Sequence, residues 1–148
     1  MTRPALAARV AAVTALAKAY RGKPAKIGGR DCIKAALFTV RKRKIALPAL
    51  KGLRYSGAPS ARKALAARGY DDLLEAVDAQ GFERIALARA WPGDFVAFTA
   101  PNYAPPFDVA LYVVQYAGGE VLFGVDPVTL TFQSAEWRGE APLAVWRV

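Results

Sequence analysis

Residues 81–99 read GFERIALARAWPGDFVAFT, and what changes across them decides the fold. Before Gly81, apolar residues recur every three or four positions, the period of an amphipathic helix. After it, β-branched and aromatic residues gather in short runs, as strands require. The runs are Arg84 to Leu87, Asp94 to Thr99, Val109 to Tyr116, Val121 to Val125, Val128 to Phe132 and Leu143 to Val148. Gly118-Gly119 separates two of them at hairpin spacing and Asp126-Pro127 marks the next turn, so the expected wiring is an antiparallel meander.

Upstream, Pro4 suits a first helical turn, and Leu6, Val10, Val13, Ala17 and Tyr20 follow on one face, which predicts a helix from about residue 4 to 20. Gly28-Gly29-Arg30-Asp31 forms a turn whose Asp31 caps a second helix opening at Cys32. Ile33, Leu37 and Val40 make its buried stripe, and Pro48 is expected to end it. A third helix follows Pro59-Ser60 and stops at Gly69; a fourth runs from near Asp71 to Gly81. Helices followed by strands give an α+β class, with N-terminal helices packed on a C-terminal antiparallel sheet. At 148 residues and 54% hydrophobic content, one domain spans residues 1–148, helical over 1–80 and sheet over 82–148.

Charge divides the same way. Residues 1–68 hold 17 Lys or Arg against one acid, Asp31, for +16; residues 69–148 hold 4 Arg against 11 acids, for −7. The absence of histidine and the single cysteine argue against a structural metal and rule out an internal disulfide, and no cofactor is expected. The apolar stretches are too short for a membrane span, and the first residues lack a signal-peptide pattern, so synthesis in the cytoplasm is expected.

Two constellations bear on chemistry. Gly28-Gly29-Arg30-Asp31-Cys32 delivers a cysteine to a helix N-terminus, where free amides and positive potential lower a thiol pKa; the bland alternative is a small core residue. Trp91-Pro92-Gly93-Asp94-Phe95-Val96-Ala97-Phe98 and Asp108-Val109-Ala110-Leu111-Tyr112-Val113 follow in that order. Together they resemble the NlpC-type, papain-like cell-wall peptidases, which combine a Gly-Asp-Cys-like turn, a Pro-Gly-Asp with an apolar strand, and a strand similar to His-Val-Gly-Ile-Tyr-Val. The resemblance covers about residues 28–125, and Tyr55-Ser56 and Gly69-Tyr70 are similar to segments of small phage proteins encoded among tail genes.

The resemblance implies a papain-like NlpC fold with the nucleophile at Cys32, the histidine position at Asp108 and the third polar position near Phe123. Two of three roles are then lost. Asp108 is a poor substitute base, since a thiol near pKa 8.5 and a carboxyl near 3.9 differ by about 4.6 units, roughly 6 kcal/mol and four decades of rate. The expectation is therefore a pseudoenzyme in a phage virion, a structural component of the tail tip or baseplate that contacts hub or baseplate proteins. The alternatives are an active cell-wall hydrolase using Cys32 with a non-histidine base, and a DNA-contacting protein of the head-tail channel.

Arg41, Lys42, Arg43, Lys44, Lys51 and Arg54 are the candidate partner-binding residues, with Arg62 and Lys63 nearby in sequence. An acidic protein surface or nucleic acid both fit such a run, though in sequence it lacks the interleaved aromatics that stack single-stranded bases. The loop from Pro101 to Pro106, with Tyr103 and Phe107, offers an apolar anchor for a partner.

Overall fold

A computed structural model describes residues 1–136 and 139–148. Helix α1 spans Arg3–Tyr20, α2 Cys32–Lys42, α3 Ala58–Ala67 and α4 Leu73–Asp78; the strands are β1 Glu83–Arg84, β2 Phe95–Thr99, β3 Val109–Val114, β4 Val121–Val125, β5 Phe132–Glu136 and β6 Ala144–Arg147. The sheet order is β1-β6-β2-β3-β4-β5, antiparallel throughout. The α+β arrangement expected from the change of period is therefore the one observed. The meander holds from β2 to β5, while β6 returns across the sheet to pair with β2.

Each helix starts where its capping residue permits. Asp31 accepts the Lys34 amide at 2.9 Å and Asp72 the Glu75 amide at 2.8 Å, each satisfying a donor that the first helical turn leaves open. The helices pack on one face of the sheet around Leu16, Ile33, Leu50, Leu65, Phe95 and Trp146. A smaller cluster, with Val96, Val114, Leu122 and Val145, fills the opposite face beneath Ile85 and Leu87.

Several local expectations differ from the structure. In α1, Val13 and Ala17 are buried, but Leu6 and Val10 are 42% and 45% exposed. The inward stripe is Arg9, Ala12, Val13, Leu16 and Ala17. Arginine at position 9 disguises that stripe in the sequence; its guanidinium reaches the buried Asp94 carboxylate at 2.8 Å. Helix α2 ends well before Pro48: Arg43 caps it, and Lys44 takes a left-handed φ of 57°. The expected strand over Val128 to Phe132 is a turn followed by β5. The Asp126 carboxylate accepts the amides of Val128 and Thr129, and Leu130 has φ 56°, so the chain cannot extend until Phe132. Likewise the run Arg84 to Leu87 gives a two-residue strand and then a tight turn over Leu87–Arg89.

Candidate functional site: the cysteine at the head of the second helix

Cys32 opens α2 against β3 and lines a groove of about 530 Å³ whose wall includes Phe107, Val109, Leu111, Tyr112 and Val125. The groove exists because the sheet opens at this point. β3 and β4 pair at Val113–Phe123 and Val114–Leu122, with the Gln115 amide on the Val121 carbonyl at 2.9 Å at the hairpin end, but the pairing does not continue toward Leu111. Continuing that register would bond Leu111 to Val125. The Leu111 amide acts instead on the Cys32 sulfur, and the Val125 carbonyl accepts the Tyr112 hydroxyl at 3.0 Å. Tyr112 lies across Gly124, where a Cβ would come within 2.3 Å of its ring, so glycine is needed for this closure.

Burial dominates the electrostatics of the thiol and pushes it up to about 12. The amides of Leu111, Cys32 and Ile33 favour the thiolate, but they are outweighed, and the negative charge of Asp31 opposes ionisation. The Asp31 carboxylate is itself engaged. Besides capping Lys34, it accepts the Gly28 amide at 2.9 Å and the Tyr55 hydroxyl at 2.8 Å. Burial and the Asp31 charge together raise the Tyr55 phenol well above its ordinary value, so Tyr55 holds its proton and donates.

Gly28 carries this arrangement. Its φ is +87°, and a Cβ there would stand 2.5 Å from the Tyr55 carbonyl oxygen. Gly28→Ala combines left-handed strain with a backbone clash and is expected to cost roughly 2–4 kcal/mol, measurable by urea denaturation. A loss below about 1 kcal/mol would mean that the loop relaxes freely.

Asp108, at the position where the resemblance puts a histidine, lies just before β3, and its carbonyl accepts the Ala100 amide at 2.7 Å. By strand alternation it is in phase with Tyr112, which packs toward the smaller cluster and also lines the Cys32 groove. Its Oδ1 is buried with no hydrogen-bond partner among the described residues. Phe123 is buried between Phe132, stacked at 6.1 Å, and the Arg21 guanidinium at 6.0 Å. It pairs with Val113, five residues along the strand from Asp108 and so roughly 16 Å away. The three positions do not meet as a triad. Among the described residues no group of His, Cys, Asp or Glu is placed to hold a metal, and no helix is long and apolar enough to cross a membrane.

A model for a domain of unknown function, DUF6950, matches residues 5–148. The chain belongs to the DUF6950 family. No curated protein and no solved structure matches it.

In this DUF6950 chain the Pro92-Gly93-Asp94 turn is a structural hub. Asp94 is fully buried; its Oδ1 meets the Arg9 guanidinium at 2.8 Å and the Val148 amide at 2.9 Å, and its Oδ2 meets Arg147 at 3.0 Å and the Trp91 amide at 2.8 Å. Arg147 stacks 3.7 Å from the centre of the Trp91 ring, and Arg9 lies 5.5 Å from it. The Trp-Pro-Gly-Asp motif is visible in the sequence; the distant partners of its aspartate, at positions 9, 147 and 148, are not.

Of the candidate basic residues, Arg41, Lys42, Lys44, Lys51 and Arg54 are exposed. Arg43 is half-buried and donates to the Val148 carbonyl at 3.0 Å, beside the hub. The 101–106 loop is exposed through Tyr103, while Phe107 is buried in the main core.

Proposed function

We propose that this DUF6950 chain is a papain-like module that no longer hydrolyses, serving as a structural or assembly component of a bacteriophage tail through contacts with other tail proteins at the tip or baseplate. The observation that carries the non-enzymatic part is the state of Cys32. A nucleophile must ionise near working pH; here burial holds the thiol protonated, and the carboxylate that acts on it, Asp31, hinders ionisation and is occupied by three donors. A chain without histidine has no other group that titrates near neutrality beside it. The place in the tail rests on the resemblance of the motif order to proteins encoded among tail genes.

For contacts with protein, α1 supplies an outward apolar face with Leu6, Ala7, Val10 and Ala11, bounded by the exposed cations Arg3 and Lys18. Partners with apolar anchors and acidic surroundings suit it. Size-exclusion chromatography at low salt with candidate tail-hub proteins is expected to give a complex. Leu6→Asp with Val10→Asp is expected to weaken it at least tenfold without lowering stability, because neither side chain is in the core. No complex with any hub or baseplate protein would overturn the reading.

A further inference from the structure

The outer surface of the helical layer beyond α1 carries charge but no large apolar anchor. Asp31, the sole acid of residues 1–68, is 4% exposed and spent on capping, so the surface of those residues is cationic without relief. Of their 17 Lys and Arg, only Arg9 forms an ion pair among the described residues, and that pair is buried. The favourable position of Arg41 and Lys42 in the last turn of α2 accounts for two of these charges. It does not account for Lys51, Arg54, Arg62 or Lys63, which are exposed beyond that helix.

The second observation concerns what is missing between these cations. The large apolar side chains exposed among the described residues are Met1, Leu6, Val10 and Ile27, then none until Tyr103. Helices α2 and α3 and the segment joining them therefore offer charge without an apolar anchor. Protein interfaces draw most of their energy from buried aromatic and aliphatic anchors. A phosphodiester backbone needs none, because its affinity comes from released counterions. The nearest aromatic rings are already covered: Lys34 lies 5.4 Å from the centre of the Tyr55 ring and Lys42 5.6 Å from that of Phe38. Stacking on bases is thus not the mode that this surface supports.

We propose that the α2–α3 surface binds the phosphate backbone of duplex nucleic acid without reading its sequence, an activity separate from the apolar face of α1. This goes beyond the proposed tail role, and its failure would leave that role standing.

The test is fluorescence anisotropy of the full chain with a short labelled duplex at a series of salt concentrations. Neutralising about five phosphates gives a log–log slope near −4.5, and so an affinity loss of about 500-fold between about 50 and 200 mM salt. Arg41→Gln, Lys42→Gln and Lys44→Gln together are expected to make the slope shallower by about 2.7, and Lys63→Gln alone by about 0.9, on duplexes of unrelated sequence alike. Thermal melting of each variant keeps folding separate from binding, and should the triple variant not fold, Lys63→Gln carries the test. No binding at about 50 mM salt would overturn the proposal. So would unchanged slopes in the folded variants, or equal affinity for polyglutamate or for anionic lipid vesicles.

Discussion

Iodoacetamide is expected to alkylate Cys32 in the folded protein at least about tenfold more slowly than an unhindered thiol at neutral pH, the scarcer thiolate being partly offset by its higher nucleophilicity. The thiolate is the reacting species, and burial pushes the folded thiol up to about 12, roughly three decades lower in thiolate than an ordinary cysteine at any pH below both. Limited access through the groove slows it further. Labelling in urea should restore the ordinary rate, which separates protection by the fold from a modified cysteine. The same shift makes a second measurement. The folded state keeps a proton that the unfolded chain releases, so the contribution is fully present below about pH 9 and is lost as pH rises toward 12, by about 1.4 kcal/mol per pH unit. Tyr55 and Tyr112, both raised by burial, add to the same alkaline loss. Rapid labelling of the native protein near pH 7 would instead mean an ionised, accessible nucleophile, and the non-enzymatic reading would fall.

Asp94→Ala is expected to destabilise the protein by about 3–5 kcal/mol, the cost of leaving buried charge without its partner. The carboxylate holds Arg9 from α1, Arg147 from β6 and two backbone amides in one fully buried place. Removing it leaves the Arg9 guanidinium, whose side chain is only 8% exposed, on the backbone carbonyls of Pro92 and Val148 with no counter-charge, and opens a contact that joins the first helix to the sheet. The thermal midpoint should fall by roughly 10–20 °C. Asp94→Asn keeps the volume but can neither neutralise two arginines nor accept from four donors, so it is expected to lie between the alanine variant and the parent. An effect within about 1 kcal/mol for Asp94→Ala would show that α1 is held by its apolar stripe alone.

The roles of Cys32 and Asp94 are unequally legible in the sequence. Asp31 and Cys32 were placed correctly from a local pattern, because a cap acts on an amide three residues away and the information sits in neighbouring positions. Asp94 was visible as part of a turn, but its partners lie 85 and 53 residues away in the chain, and no local pattern announces them. The same non-local demand explains the misread face of α1. The expected stripe and the buried one share Val13 and Ala17, and the buried one runs through Arg9, whose carboxylate partner lies far along the chain. The turn at Asp126–Thr131 was missed for a different reason. Val128 and Leu130 look like strand residues, while the controlling interaction is a single aspartate oxygen taking two amides.

From sequence alone came the helix-to-sheet order, the capped cysteine and the division of charge. These depend on periodicity, capping and composition, which short range suffices to set. Only the tertiary structure shows what surrounds Cys32 and opposes its ionisation. That depends on where the β3–β4 ladder stops, on Tyr55 and Gly28 engaging the one nearby acid, and on how much water the groove leaves at the sulfur. A pKa is a property of surroundings contributed by segments distant in the chain, and those surroundings exist only once the helix has been laid against the sheet.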